Sequence, residues 1–301
     1  MTTNQRIPKA VNFHVNRVCN ERCAYCFATF RDDPAFDPVH RGLPPEHARA
    51  IVARIAEAGV EKLNFAGGEP TLYAPLPGLL RTARGQGLVT SVVSNGARLE
   101  WLLGEAADAI DWVGLSVDSA IEQIQRELGR GDGDYCRRAL EHFARLHTAR
   151  IRVKLNTVVT ALNHLEDLSG FVLAARPERW KVFQFLPVAG QNDANAGKLA
   201  VTPEQFRAYL ARNARVAEAG ITMVPEENAE MTGAYAMIDP AGRFFSNVGG
   251  RHSYSDPILE VGVEAAFAQV VFHEATFERR GGRYDWGPPD SRRLVQLRMP
   301  K

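Results

Sequence analysis

The pattern of apolar and polar positions predicts strands and helices in alternation along most of the chain. Residues 11–15, Val-Asn-Phe-His-Val, alternate as a half-buried strand does. Further strand-like stretches lie at 61–66, 88–93, 112–117, 151–159 and 180–185. Apolar residues at helical spacing separate them, at 44–58, 76–84, 98–107, 135–147 and 165–174. About six β/α units of this kind predict a parallel sheet, and we expect a partial (β/α)6 barrel.

The rhythm weakens after residue 220, which suggests three segments: a tail at 1–10, the barrel at 11–219, and an extension at 220–301 that closes the site. The extension holds a short apolar stretch at 221–224 and a helix near 263–267. A hairpin is predicted at 235–246, with its turn at Pro240-Ala241-Gly242. Residues 186–201 are rich in Gly, Asn and Ala, and we predict a loop there.

Four of the predicted strands place polar side chains in phase on one face, because side chains alternate across a strand. These residues are Asn12, His14 and Asn16; Lys62 and Asn64; Lys154 and Asn156; and Arg179 and Lys181. No carboxylate occurs on the same faces, and unpaired buried cations are costly. We therefore predict a lumen that binds an anion of several charges, such as a triphosphate, with the asparagines near ribose hydroxyls. The alternative is a set of exposed strand edges with solvated cations.

Three cysteines follow the first strand within eight residues, at Cys19, Cys23 and Cys26. Thiolates this close on one loop can bind three irons of a four-iron cluster and leave the fourth iron open. The alternative is a structural zinc site, for which His14 or His40 could supply the fourth ligand. The remaining cysteine, Cys136, lies far downstream in a predicted helix.

The composition excludes several classes of protein. The chain has 301 residues, of which 45% are hydrophobic and 24% charged, as in ordinary globular proteins. The formal net charge of +1 argues against a general polyanion-binding surface. With four cysteines, no signal-peptide core and no apolar run of membrane-spanning length, we expect a cytoplasmic protein in a reducing compartment.

The C-x3-C-x2-C spacing resembles that of the radical S-adenosylmethionine (SAM) enzymes, and Gly67-Gly68-Glu69-Pro70 resembles their second motif. The resemblance implies a barrel of the radical SAM type, with a [4Fe-4S] cluster on the three cysteines and SAM on its open iron. It also implies SAM contacts at Tyr25 (through its backbone), Gly67, Gly68, Glu69, Ser94, Asn95, Ser116, Asp118 and Arg130.

Further motifs resemble the viperin family within this superfamily, from about residue 11 to residue 286. They are residues 11–14, 62–65, 93–96, 129–131, 154–156, 179–184, 259–264 and 280–284. The membrane helix of animal viperins and their C-terminal cluster-loading tail are not evident, so the resemblance is to a microbial, membrane-free homologue.

This resemblance implies dehydration of a ribonucleoside triphosphate to its 3′-deoxy-3′,4′-didehydro analogue, an antiviral chain terminator. CTP is the default substrate, with UTP or GTP as alternatives. The radical takes the 4′ hydrogen and the 3′ hydroxyl leaves as water. Lys62, Lys154, Arg179 and Lys181 would hold the triphosphate, and Asn12, Asn64 and Asn156 would orient the ribose.

The resemblance also places Tyr235 near the chemistry, as an electron or proton relay or else as a packing residue. Arg243 and the tail arginines Arg279, Arg280 and Arg283 could add phosphate contacts. The expected partners are a nucleoside triphosphate and an electron donor such as a flavodoxin or ferredoxin, with no nucleic acid, no membrane and a monomeric state. Two alternatives remain, namely a radical SAM enzyme acting on a peptide or RNA, and a non-catalytic iron–sulfur or zinc module.

Overall fold

The computed structural model describes residues 6–30 and 42–287, and these form one ten-stranded sheet with helices around it. The strands are β1 (Ala10–His14), β2 (Lys62–Ala66), β3 (Val89–Ser94), β4 (Trp112–Ser116), β5 (Arg152–Val159), β6 (Arg179–Gln184), β7 (Thr222–Glu226), β8 (Met237–Ile238), β9 (Arg243–Ser246) and β10 (Ser253–Pro257). Their order in the sheet is β10-β9-β8-β1-β2-β3-β4-β5-β6-β7.

Strands β1 to β7 are parallel and follow one another in chain order. The register aligns the polar residues of neighbouring strands, with Asn12 opposite Asn64 and Asn156 opposite Lys181. This arrangement, with crossover helices between strands, is the predicted partial barrel.

Helices follow most of the strands, and several of them bury apolar residues in the main core cluster. The helices are α1 (Pro45–Glu57), α2 (Leu76–Gly85), α3 (Leu99–Ala106), α4 (Glu122–Glu127), α5 (Tyr135–Thr148), α6 (Ser169–Ala175), α7 (Ala196–Leu199), α8 (Pro203–Arg212), α9 (Asn228–Met231), α10 (Ile258–Val261), α11 (Val263–Phe267) and α12 (Glu274–Arg279). No helix in the described part of the chain has the length and apolar character needed to span a bilayer.

The core explains why the alternating strands take this orientation. Val11, Phe13 and Val15 of the first strand region are almost fully buried in the main apolar cluster. Helix α1 contributes Ile51 and Ile55 to the same cluster, with Pro45 at its first turn. Burying this face against helices leaves the opposite, polar face directed into the barrel.

The C-terminal region joins the same sheet at both edges. Strand β7 pairs with β6, and β8 pairs in parallel with β1 before forming the predicted hairpin with β9. The apolar stretch at 221–224 is therefore part of a strand, and helix α4 was not predicted. The proposed boundary at residue 219 lies inside this continuous sheet, and the division into segments stays a prediction.

Candidate active site

A cavity of about 380 Å³ lies inside the barrel and reaches the carboxyl ends of its strands. All three motif cysteines line it, together with the glycine motif and Ser94, Asn95, Ser116, Asp118 and Arg130. The cavity also contains every predicted lumen residue from the strands except Asn16, namely Asn12, His14, Lys62, Asn64, Lys154, Asn156, Arg179 and Lys181. The structure thus brings the residues of both predicted sites into one cavity.

Backbone bonds and two distant asparagines hold the cysteine loop. The loop pairs with the segment after α4, since Arg22 N donates to Gly129 O at 3.0 Å. Asn192 donates to the carbonyl of Tyr25 at 2.8 Å, and Asn195 to that of Ala24 at 3.0 Å. Both asparagines belong to the stretch at 186–201, which was predicted to be a loop and also contains the short helix α7.

The three thiols fit an iron–sulfur cluster. They line one cavity without disulfide partners, and the amide of Asn95 lies 3.8 Å from Cys19 Sγ. Burial raises the pKa of Cys19 to about 12 and also that of Cys23, so bound iron would supply the positive charge that thiolates need. Among residues 6–30 and 42–287, no three His, Cys, Asp or Glu side chains could together hold one metal ion. In a four-iron cluster each thiolate binds a different iron, so the three thiolates need not meet at one metal ion as they would at a zinc site.

The two possible zinc ligands give no support to the zinc alternative. His14 lies among Phe27, Phe30 and Phe245, at ring-centroid distances of 6.2, 5.5 and 5.4 Å. Burial lowers the pKa of His14 to about 4, and the neutral ring that results could bind a metal, but it packs against these aromatic side chains. His40 lies outside the described residues.

The glycine pair of the second motif packs against the chain that leads into the cysteines. A Cβ atom on Gly67 would lie 2.3 Å from Asn16 Oδ1, and one on Gly68 would lie 2.4 Å from Val18 O. Gly68 N also donates to Asn16 O at 2.7 Å. The glycines therefore permit close packing of two motifs, beyond the approach to a ligand that was predicted.

The carboxylate of Glu69 links the loop after β2 to the loop after β3. This buried carboxylate accepts hydrogen bonds from Thr71 N and Oγ1 at 3.0 and 2.7 Å, from Ser94 Oγ at 2.7 Å and from Asn95 N at 2.8 Å. Burial raises its pKa, although these bonds favour the charged form. A direct contact of Glu69 with SAM stays a prediction.

A buried ion pair supports the other side of the cysteine loop. Arg130 Nε lies 3.0 Å from Asp118 Oδ2, and the hydroxyl of Tyr25 bonds to both side chains. Arg130 also donates to Ser116 O at 3.2 Å. The carbonyl of Tyr25 accepts from Asn192 and its side chain belongs to this network, while its contact with SAM through the backbone stays a prediction.

The cations deeper in the lumen have few anionic partners. Within the described part of the chain, no carboxylate forms an ion pair with Lys62, Lys154 or Arg179. Their ammonium and guanidinium groups face aromatic rings instead, and Lys62 Nζ donates to Tyr284 Oη at 2.6 Å. Burial lowers the pKa of Lys62 well below its usual value, and neighbouring Lys154 adds to the effect.

Two asparagine oxygens next to these cations also lack partners. Asn64 Nδ2 donates to Asn12 Oδ1 at 3.1 Å, while Oδ1 of Asn64 and Oδ1 of Asn156 are buried without a hydrogen bond. Gly114 has no side chain and so leaves space for Asn156, because a Cβ atom at position 114 would lie 3.1 Å from Asn156 Nδ2. Such unpaired acceptors are satisfied by a ligand that donates, as sugar hydroxyls do.

The four strand faces carry no carboxylate of their own, but a carboxylate from a fifth strand, β7, reaches one of their cations. Glu226, at the end of β7, is fully buried and lies 2.6 Å from Lys181 Nζ and 3.5 Å from Arg280 Nη1. The strand that carries it was not recognised from the sequence. Of the four strand cations, Lys181 is therefore the one that forms an ion pair with a described carboxylate.

Tyr235 joins this charged group. Lys181 Nζ donates to its hydroxyl at 2.7 Å, the hydroxyl donates to Glu226, and the guanidinium of Arg280 lies 3.7 Å from its ring. Burial raises the pKa of Tyr235 well above its usual value, so the phenol is neutral. Tyr235 lines the cavity, and its role as a relay stays a prediction.

Of the four other predicted arginines, only Arg280 lines the cavity. Arg243 was predicted to bind substrate, but its guanidinium lies 2.7 Å from the buried Asp239, four residues earlier in the hairpin, and stacks on Tyr254. The short hairpin brings this carboxylate to Arg243 outside the cavity lining, and substrate binding by Arg243 stays a prediction. Arg279 contacts Thr276, and Arg283 pairs with Glu278.

Sequence patterns also did not indicate the aromatic residues at the inner end of the cavity. Trp112, Tyr284 and Trp286 surround Lys62, with ring centroids 5.2, 4.7 and 5.5 Å from its Nζ. The available signal was weak. Trp112 shares the inward face of its strand with Gly114 and Ser116, and the two tail aromatics follow the tail motif at 280–284.

Comparison with known proteins agrees with this geometry. The radical SAM superfamily profile matches residues 14–169. The S-adenosylmethionine-dependent nucleotide dehydratase of Flammeovirga pacifica is 38% identical over 293 residues, 95% of this chain and 99% of that protein. The one from Lacinutrix mariniflava is 41% identical over 287 residues, and the match spans 93% of this chain but 59% of that protein.

Among solved structures, SuiB of Streptococcus suis bound to S-adenosylmethionine superposes with a TM-score of 0.64. The match covers 93% of this chain and 69% of that one, at 15% identity, so it supports the fold alone. Fold and site together define a radical SAM enzyme, whose cofactors are a [4Fe-4S] cluster and SAM. Within that class, the chain belongs to the S-adenosylmethionine-dependent nucleotide dehydratases, as its resemblance to viperins predicted.

Proposed function

We propose that this enzyme removes water from a ribonucleoside triphosphate and forms the 3′-deoxy-3′,4′-didehydro nucleotide. The supporting observation is one cavity with three thiols at one end, three unpaired cations at the other, and unpaired asparagine oxygens between them. A nucleoside triphosphate presents hydroxyl donors and a polyanionic chain in the same order. The names of the relatives fit a nucleotide substrate.

The chain's own residues position the reactants. Asn64 and Asn156 accept from the ribose hydroxyls through their free oxygens, which turns the 4′ hydrogen toward the cysteine loop. The phosphates are held by the point charges of Lys62 and Lys154 and by the planar guanidinium fork of Arg179. When bound, the cluster and SAM supply a 5′-deoxyadenosyl radical that abstracts hydrogen.

We further propose that Tyr235 assists the departure of the 3′ hydroxyl. It is a neutral phenol bonded to both Lys181 and Glu226, so a proton that it gives up can be replaced from the lysine side. The enclosed lumen, with aromatic residues at its inner end, limits the access of water to the radical.

The test is an anaerobic assay of 5′-deoxyadenosine release from reconstituted enzyme, SAM and reductant, with CTP, UTP, GTP and ATP supplied separately. We expect one nucleotide to stimulate release strongly and to yield a product lighter than itself by one water. Slow release that ignores all four nucleotides would contradict the proposal and favour a peptide or RNA substrate.

A lysine variant links the assay to the cavity. Lys154→Met removes one phosphate contact, and bonds to charged groups contribute about 1.5–3 kcal/mol, so we expect about 10- to 150-fold weaker nucleotide binding. The matched control is Lys198→Met at an exposed position of α7. Equal binding by both variants would contradict the assignment of the triphosphate site.

The wider setting forms part of the proposal. The product would terminate RNA chains in antiviral defence, with a flavodoxin or ferredoxin as electron donor and a monomeric, cytoplasmic enzyme. These points rest on the resemblance to viperins.

A further inference from the structure

The last described residues close the inner end of the barrel lumen. Trp112 Nε1, at the start of β4, donates to Trp286 O at 3.0 Å. Arg152, at the start of β5, donates to Asp285 O and Gly287 O at 3.0 and 2.8 Å. These bonds attach the tail to the amino-terminal ends of two central strands, opposite the cysteine loop.

Tyr284 is the residue of this segment that faces the cations. Its ring centroid lies 4.7 Å from Lys62 Nζ, 5.2 Å from Lys154 Nζ and 4.1 Å from Arg179 Cζ. Its hydroxyl accepts from Lys62 at 2.6 Å, and its ring packs edge-on against Trp112 with centroids 5.7 Å apart. One side chain thus contacts all three cations that lack a described carboxylate partner.

The strand register places these contacts beyond the ribose level. Lys62 precedes Asn64 by two residues on the same face of β2, and Lys154 precedes Asn156 in the same way on β5. Two strand residues span about 6.6 Å. The backbone position of each lysine is therefore about that much farther from the cysteine end of the lumen than that of the asparagine on the same strand. A phosphate chain that leaves a ribose held by the asparagines therefore runs toward Tyr284.

We propose that Tyr284 determines specificity for the length of the phosphate chain, by fixing the depth of the lumen and favouring triphosphates over diphosphates. This inference rests on the proposed function. The aromatic ring stabilises the cations without neutralising them, because a ring face attracts a cation but adds no net charge. The hydroxyl holds Lys62 at the end of the lumen, where only the terminal phosphate of a triphosphate reaches it.

The test compares Tyr284→Phe with the wild-type full-length chain carrying its cluster and SAM. The substitution keeps the ring and removes the bond to Lys62. Tyr73→Phe is the matched control, because the Tyr73 hydroxyl donates to Leu43 O at 2.7 Å and lies outside the cavity lining. Calorimetry measures binding of the tri- and diphosphate of the base selected by the dehydration assay, and of inorganic tripolyphosphate and pyrophosphate. Thermal unfolding checks that both variants are folded.

We expect wild-type enzyme to prefer the triphosphate, and Tyr284→Phe to lower that preference about tenfold, through weaker triphosphate binding with little change for the diphosphate. Tyr73→Phe should retain the wild-type ratio. An unchanged ratio in Tyr284→Phe, or equal wild-type binding of the two lengths, would overturn the inference. Failure of every nucleotide to stimulate 5′-deoxyadenosine release would instead overturn the proposed function, and the inorganic probes separate the two cases because they carry no base.

Discussion

Single residues in the lumen show how burial controls charge. Burial lowers the pKa of Lys181 to about 8, although the adjacent Glu226 carboxylate acts in the opposite direction. Burial also lowers the pKa of Lys62 well below its usual value, and the other lumen cations add to the effect. A bound polyanion favours the charged lysines, so it raises both pKa values.

This coupling predicts proton uptake on nucleotide binding at pH 8. The terminal phosphate is already fully ionised there, so lysines are the groups that change charge. Above a pKa of about 8 Lys181 is neutral in the free enzyme, and affinity should therefore fall as pH rises from 7 to 9. Calorimetry in two buffers with different ionisation enthalpies measures the uptake.

The control for this experiment is Lys181→Met, which should take up fewer protons than wild-type enzyme at pH 8. Binding without proton uptake, and with an affinity that does not change between pH 7 and pH 9, would show that the lumen lysines are already charged without ligand.

At the level of elements, the loops at the carboxyl ends of the strands support one another through close backbone contact. The glycine motif after β2 packs on residues 16–18, and the segment after α4 packs on the cysteine loop. A Cβ on Gly129 would lie 2.3 Å from Arg22 O, so this contact also needs a glycine. The cysteine loop therefore depends on glycines that permit close backbone packing, although they have no side chain that could contact a cofactor.

Gly68→Ala should reduce iron binding without unfolding the barrel. Its Cβ would lie 2.4 Å from Val18 O, so residues 17–18 must shift, which costs about 1–3 kcal/mol and displaces Cys19. Iron content per chain after reconstitution, measured together with the thermal midpoint, tests this expectation.

Gly78→Ala in α2 is the matched control, because nothing lies within 4 Å of its Cβ and alanine favours helix. Full iron content in Gly68→Ala, equal to that of Gly78→Ala, would mean that the loop adapts to the added methyl group.

For the whole molecule, the tail completes the site by contacting two separate strands of the sheet. Arg280 pairs with Glu226 of β7, and Tyr284 contacts Lys62 of β2. A ligand that neutralises the lumen should therefore stabilise the barrel and the tail together.

We expect saturating nucleotide to raise the thermal midpoint and to slow hydrogen exchange in residues 274–287. At a concentration 100 times the dissociation constant, binding adds about 2.7 kcal/mol, or roughly 5 °C for a chain of this size. Differential scanning calorimetry and exchange mass spectrometry measure the two effects. Lys154→Met should show a smaller shift at the same concentration, and protection restricted to the cysteine loop would contradict coupling to the tail.

The sequence by itself determined the barrel and most of its lumen. Period-two alternation in β1, β2, β5 and β6 assigned Asn12, Asn64, Lys154 and Lys181 to the inner face, because a strand with one face buried against helices has no other register. Cysteine spacing and the glycine motif likewise indicated the cofactor end. These signals are local, so they can be detected without tertiary structure.

Only the tertiary structure decided which charges meet. Glu226 is the last residue of a short strand that contains Pro225, and Tyr284 lies in a tail without a periodic pattern. The sequence therefore did not indicate that either residue lies at the lumen. Arg243 is a residue type that often binds phosphate, but in the structure it pairs with Asp239 of its own hairpin. Such pairings join residues far apart in the chain or depend on the geometry of a turn, and the free energy of burying a charge depends on the partner that the fold supplies.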